Sequence, residues 1–411
     1  MEFSTKVLHG KSAKRFADGA TLPPISQVSA FSYESAEELE KVFSNKAPGF
    51  AYTRIGNPTV DAFEKRVCEL EGGLAATACS SGMAAITAAL LNILQSGDEV
   101  IAGSGLFGGT IDLFQDLEAF GIQTKFVSQV NVSEIEPLIT DRTKVIFGEV
   151  IGNPGLDVMD IASVEALEHA NRIPLIVDAT TATPYLIRSI QHGADIVIHS
   201  SSKYINGSGN AISGIIVDGG TFKWDFERYP KLKKFRKFGN FAFSAGLRND
   251  LWRNMGGCLA PMNAYLNMLG LETLALRLQK ICDNALALAK ALDGIEGVSV
   301  NYPGLAGNAY YPLVQKQFAG NGGGIVTLRA GSKSRAYQLM NSLKYALKAT
   351  NIGDTKTLVI HPASTIYLHS SQEQKNQAGV FEDSIRISVG IEDAADLIED
   401  FTHAIHNLDA F

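Results

Sequence analysis

Apolar residues recur along this chain with two different periods. Short apolar runs at 99–102, 125–128, 144–150, 173–178, 195–199 and 214–217 have the length and β-branched content of buried strands. The stretches 83–94, 110–120 and 161–171, before or between them, repeat their apolar residues every three or four positions, as a helix with one buried face does. The order is β-α-β-α, and a strand that returns through a crossover helix runs parallel to its predecessor, so the sheet is expected to be largely parallel. A helix is predicted to open at Asn57-Pro58-Thr59: Asn57 can cap it, Pro58 suits its first turn, and Val60, Phe63, Val67 and Leu70 share a face before Gly72-Gly73 stops it. Residues 1–56 show no sustained period and read as an extended arm. Past Met255 the pattern becomes a long helical run, 260–292, then a Gly-rich stretch and strands near 324–328 and 385–389. The expected organisation is an arm (1–56), a large α/β domain (57–255) and a smaller C-terminal α+β domain (256–411).

Composition narrows the function. With 411 residues and 45% hydrophobic content the chain can bury two cores, since domains run to about 100–200 residues. A net charge of −7 gives no general attraction to nucleic acid or acidic membranes, so the basic run 231–237 reads as a solvated face and small-molecule chemistry is favoured. No apolar run reaches membrane-spanning length, and residues 1–18 lack the uninterrupted apolar stretch of a secretory signal. Cys68, Cys79, Cys258 and Cys282 are widely spaced with no C-x-x-C, which fits a reducing compartment such as the cytoplasm. No metal site is expected: His403 and His406 could share a helical face but lack Cys or carboxylate partners, and His199 and His361 read as packed or hydrogen-bonded. Gly10-Lys11-Ser12 falls short of a phosphate-binding P-loop because Thr5 stands where the first Gly should be. Residues 103–108 fit G-x-G-x-x-G after a strand, but the next strand run ends Phe126-Val127-Ser128-Gln129 without the acid a dinucleotide's ribose needs. A dinucleotide-binding oxidoreductase is therefore a remote alternative.

Ligands of open α/β sheets collect at the carboxyl ends of strands, and three polar clusters stand there. Cys79-Ser80-Ser81-Gly82-Met83 joins a strand to a helix whose exposed first amides suit a phosphate. Asp178 closes Ile-Pro-Leu-Ile-Val-Asp, and Ser200-Ser201-Ser202-Lys203 follows Asp195–His199. Together they supply what pyridoxal phosphate requires: an amine for its aldehyde, a carboxylate to keep its ring nitrogen protonated, and hydroxyls and amides for its phosphate.

With these residues in view, the chain resembles the Cys/Met-metabolism pyridoxal-phosphate enzymes over nearly its whole length. The resemblance rests on Tyr52-Thr53-Arg54 with Asn57-Pro58-Thr59, Ser80-Ser81-Gly82-Met83-Ala84, Glu149 with Asn153-Pro154, Asp178, and His199-Ser200-Ser201-Ser202-Lys203-Tyr204. In the second half, Asn240-Phe241-Ala242-Phe243, Gly270-Leu271-Glu272-Thr273-Leu274, the run 351–365 and the run 386–392 are most similar to the O-acetylhomoserine sulfhydrylase branch. The resemblance implies an aspartate-aminotransferase-like, fold type I architecture with the cofactor carried on Lys203. It further implies that Ser81, Gly82, Met83, Ser200 and Ser202 serve the phosphate, that Tyr52 and Arg54 complete the site from a neighbouring subunit, and that Asn153, Asn351 and Arg386 hold the substrate. An obligatory dimer follows, which this family usually pairs into a tetramer. The implied reaction is γ-replacement, giving homocysteine and acetate from O-acetylhomoserine and a sulfur donor, with Lys203, Asp178 and Tyr52 as the catalytic groups. The donor could be sulfide, a small thiol or a carrier protein's thiocarboxylate, and succinyl could stand in for acetyl. Methionine γ-lyase and cystathionine γ-synthase or lyase chemistry are the alternatives. Phe107 stands where most members stack a Tyr on the cofactor, Ala179 where Asn is usual, and Asn206 and Ser208 where Gly and His are usual.

Overall fold

The computed structural model describes residues 1–11, 19–128 and 130–408; Ser12 and Gln129, which entered the motif comparisons above, and the 12–18 part of the 1–18 segment lie outside them. Seven strands form the larger sheet: β1 (Ala75–Cys79), β2 (Glu99–Gly103), β3 (Gln123–Val127), β4 (Thr143–Glu149), β5 (Leu175–Asp178), β6 (Ile196–His199) and β7 (Gly214–Asp218). Their spatial order is β1-β7-β6-β5-β4-β2-β3; β2 to β6 pair in parallel, and β7 runs antiparallel to both neighbours. Both faces of the sheet are covered. Ile146, Val177 and Val197 enter one core while Val145, Phe147, Ile176 and Ile198 enter the other, which is why these strands read as continuous apolar runs rather than alternating ones.

The predicted helix after Asn57 forms as Pro58–Glu71, ended by Gly72 in the left-handed conformation at φ 78°. Asn57 accepts the Thr59 amide at 2.9 Å, and its own amide donates to Ser26 O and Thr53 Oγ1 at 2.8 and 3.1 Å, so one side chain caps the helix and ties down the arm. Asn57→Ala is expected to cost about 1–2 kcal/mol, read as a lower thermal unfolding midpoint, and Asn57→Asp, which keeps the cap but not the donors, should fall between.

Two elements differ from the sequence pattern. The 1–56 segment is not extended throughout: it holds helices Phe3–His9 and Ala36–Phe43, too short to show a sustained period. Val7 of the first is buried in the large core, and Phe3 meets the Tyr185 ring edge-on at 5.3 Å. The long helical run breaks at Thr273 into Pro261–Glu272 and Leu274–Leu292. There the Gly270 carbonyl bonds to the Arg277 guanidinium at 2.7 Å and the Thr273 hydroxyl at 3.3 Å.

Five strands, β8 (Ser299–Asn301), β9 (Ile325–Arg329), β10 (Leu347–Lys348), β11 (Leu358–Ile360) and β12 (Ser384–Ser388), form a second sheet ordered β10-β11-β12-β9-β8. Leu288, Leu339 and Phe401, from three helices, share a separate core with it. Within the basic run 231–237, Lys233 pairs with Glu227 at 2.8 Å and Lys234 with Asp250 at 2.6 Å. Among the described residues no helix is long and apolar enough to cross a membrane.

Candidate active site

The carboxyl ends of β4, β5 and β6 open into a cavity of about 500 Å³. Glu149 closes β4, Asp178 closes β5, and Ser200, Ser202 and Lys203 lie in the turn beyond β6. The start of helix Gly82–Ile93 forms one wall. Ser81 caps it by accepting the Ala84 amide at 3.0 Å, so the Gly82 and Met83 amides have no partner within the helix. A Cβ on Gly82 would lie 2.7 Å from that of Ser200, so glycine is what lets the helix start approach the lysine-bearing turn. Thr180 links two strand ends: its amide donates to Asp178 Oδ1 at 2.8 Å, and its hydroxyl accepts the Ser200 amide at 2.7 Å.

Arg386, from β12, brings the second sheet to the cavity. Lys203 Nζ donates to Asn351 Oδ1 at 2.7 Å, Arg386 donates to the Asn351 carbonyl at 3.0 Å, and Arg386 also donates to Asn153 Oδ1 at 3.2 Å. Lys203, Asn351, Arg386 and Asn153 thus form one polar chain. Arg386 keeps a buried Nε with no hydrogen-bond partner among the described residues, a donor suited to a carboxylate.

Burial dominates the electrostatics. It lowers the Lys203 pKa, with the Arg386 charge adding to the effect, so the neutral amine becomes more accessible at neutral pH. Arg386 itself is pushed down to about 10 by burial, which leaves it charged. Burial raises Asp178, opposed by hydrogen bonds from Thr180 and by His199 behind it. Glu149, in register with Asp178 on the adjacent strand, is raised well above the usual carboxylate range by burial and then by the Asp178 charge. Of the two carboxyls Glu149 is the more strongly raised, which favours a shared proton on Glu149 and the charge on Asp178.

The expected residues Ser81, Gly82, Met83, Phe107, Asn153 and Asp178 all line the cavity, as do Ser200, Ser202, Lys203, Asn351 and Arg386. Tyr52 and Arg54 are not among its lining residues: Tyr52 is 42% exposed, and Arg54 donates to the Arg253 carbonyl at 2.6 Å. The Ser202 hydroxyl donates to Ser213 O at 3.0 Å and accepts the Ser213 amide at 2.7 Å, so its proton braces the turn. Sequence reasoning did not assign Glu149 or Thr180 to the site. The Asp-x-Thr spacing of a side chain that bonds the backbone two residues on was the available signal for Thr180; Glu149 was marked by its place at a strand end and by its standing with Asn153-Pro154 in the family resemblance, neither of which gave it a role. His199 and His361 are both engaged, by Glu71 at 2.7 Å and by Ser364 and the Glu382 carbonyl at 2.8 Å each. The 103–108 turn is filled by the chain itself: the Phe107 amide donates to Glu149 at 2.6 Å, and the Tyr367 hydroxyl donates to the Leu106 carbonyl.

The sequence profile of the Cys/Met metabolism PLP-dependent enzymes matches residues 4–406. The chain belongs to that family. A homocysteine synthase of Schizosaccharomyces pombe is 38% identical, covering 98% of each chain, and an O-acetyl-L-homoserine sulfhydrylase of Thermus thermophilus is 37% identical, covering 98% of this chain and 100% of its own. A crystal structure from Campylobacter jejuni, assigned as an O-acetylhomoserine (thiol)-lyase and carrying N'-pyridoxyl-lysine-5'-monophosphate, superposes with TM-score 0.93 at 34% identity over 99% of this chain and 100% of that one. A cystathionine γ-synthase from Xanthomonas oryzae pv. oryzae in complex with aminoacrylate and cysteine superposes with TM-score 0.87 at 28% identity, covering 100% and 99%. The architecture is that of fold type I PLP enzymes, and the cofactor is pyridoxal 5'-phosphate. The residues present fit this group of the Cys/Met metabolism enzymes: a cavity-facing lysine of lowered basicity, a buried strand-end carboxylate, and a helix start with free amides closed down onto Ser200.

Proposed function

We propose that this enzyme forms L-homocysteine and acetate from O-acetyl-L-homoserine and a sulfur donor, with Lys203 as the proton-transferring group. The observation that carries this reading is the chain from Lys203 through Asn351 to Arg386 and Asn153, which sets a proton acceptor and a carboxylate clamp on one cavity. Relatives named homocysteine synthase and O-acetyl-L-homoserine sulfhydrylase support it. Bound pyridoxal phosphate supplies an electron sink for the charge left when a proton departs from the α-carbon of an amino acid. Lys203 would hold its aldehyde, the Gly82 and Met83 amides and the Ser200 hydroxyl its phosphate, Phe107 its ring face, and Asp178 its ring nitrogen.

Arg386 and Asn153 hold the substrate carboxylate and so aim the α-proton at Lys203 Nζ. Freed when the substrate's own amine takes its place, the neutral Lys203 amine would take that proton, give it up to the electron sink and, neutral again, take one from Cβ; acetate then leaves Cγ and the sulfur nucleophile adds there. Phe107 has no hydroxyl, so proton movement falls to Lys203, with Tyr52 from a neighbouring copy as the second candidate. The exposure of Tyr52 and the position of Arg54 outside their own cavity support an active dimer, and we extend this to a pair of dimers acting in the cytoplasm.

The test is product analysis of the purified holoenzyme with O-acetyl-L-homoserine and sulfide. Homocysteine and acetate in equal amounts are expected. α-Ketobutyrate with ammonia instead would move the reading to γ-elimination, and turnover only with a thiol or a carrier thiocarboxylate would move it to another donor.

A further inference from the structure

Widely spaced in sequence, Cys79 and Cys258 meet in the fold as direct partners in an isolated antiparallel bridge. The Ser80 amide donates to the Gly257 carbonyl at 2.8 Å beside it, which makes the two cysteines a non-hydrogen-bonded pair. At such pairs the Cα atoms approach to about 4.5 Å with side chains on the same face, inside the roughly 4.4–6.8 Å span a disulfide bridges. Both thiols are free. Cys79 is fully buried, its thiol pushed far up by burial and by Glu64, with Cys258 close enough to add to the effect. Cys258 is partly exposed and lies on a separate cleft of about 320 Å³ beside Trp252 and Arg253. Cys79 ends β1, and the cavity's helix-start loop, Ser81 to Met83, begins two residues later.

We propose that Cys79 and Cys258 are a reversible dithiol–disulfide site whose oxidation loosens the loop that holds the cofactor's phosphate. The oxidant class is a hydroperoxide. The Cys258 thiolate attacks the O–O bond, giving a sulfenic acid and releasing water or an alcohol; the Cys79 sulfur then displaces the hydroxyl, which leaves as water with the Cys79 proton. The two sulfurs together lose two electrons, and the peroxide gains them. Disulfides centre on a Cα separation of about 5.5–6 Å, so closing this one pushes the strands apart by about an ångström and strains the Ser80–Gly257 bond. The loosening rests on the phosphate role proposed above for Gly82 and Met83; the cross-link does not.

The experiment treats the holoenzyme with hydrogen peroxide, alkylates the remaining thiols, and maps disulfides by mass spectrometry, with cofactor affinity measured in parallel by absorbance. A Cys79–Cys258 cross-linked peptide is expected, with Cys68 and Cys282 still alkylated. Cofactor affinity should weaken about tenfold (1.4 kcal/mol), recover with dithiothreitol, and not weaken in Cys258→Ser. Oxidation of Cys258 to the sulfinic acid without a cross-link would overturn the site. A cross-link that leaves cofactor affinity unchanged would overturn the loosening alone.

Discussion

Lys203→Ala is expected to lower turnover of O-acetyl-L-homoserine by about four orders of magnitude, the upper end of what a positioned proton-transferring group supplies. The size follows because the described residues that line the cavity include no second amine. Its other cation, Arg386, is held by Asn153 and Asn351 and stays protonated, so it can hold a carboxylate but cannot accept a proton. The acid limb of kcat should lie below the ordinary lysine range, because burial and then the Arg386 charge disfavour protonated Lys203: the amine is neutral above its lowered pKa and inactive as a base below it. Steady-state rates across pH with wild type and variant check both statements. A variant retaining a tenth of the activity would show that another group moves the α-proton.

Much of this arrangement was legible before any coordinates, for physical reasons that also explain the gaps. The strands that carry Asp178 and precede Lys203 are buried on both faces, so their apolar runs are continuous and their polar ends stand out. The strand before Ser80, Ala-Ala-Thr-Ala-Cys, has little apolar bulk, so it showed only through its junction with the following helix and not as an apolar run; β7 pairs with it along its length. The break at Thr273 depends on Arg277 reaching back to the Gly270 carbonyl, a tertiary demand that helical spacing does not encode. Thr180 and Glu149 bond backbone amides, so the Asp-x-Thr spacing and the Glu149…Asn153-Pro154 run mark their places without stating what they do. The Cys79–Cys258 pairing joins positions that only the fold brings together.

Glu149 is where the local electrostatics lead to the other large effect. Its Oε1 accepts the Phe107 amide at 2.6 Å, and it also takes the Asn153 amide, so one carboxyl positions both the side chain proposed to face the ring and a member of the proposed carboxylate clamp. Those amide bonds favour the ionised form, but burial and the neighbouring Asp178 outweigh them and raise its pKa well above the usual carboxylate range, which favours the neutral form. Glu149→Gln preserves an acceptor oxygen and the neutral charge and should stay within about threefold of wild type, a change under 1 kcal/mol. Glu149→Ala leaves two amides without an acceptor, each costing about 1–3 kcal/mol, so kcat/KM should fall by about 10- to 100-fold or more, with KM rising as Asn153 loses its place. The pH profile separates charge from shape. Above its raised pKa Glu149 ionises and sets a second negative charge beside Asp178, so wild-type activity should decline at alkaline pH on a limb that Glu149→Gln lacks. If the Gln variant is as impaired as the Ala variant at neutral pH, the working form of Glu149 is the anion, and the division of charge between it and Asp178 is the reverse of the one inferred from their surroundings.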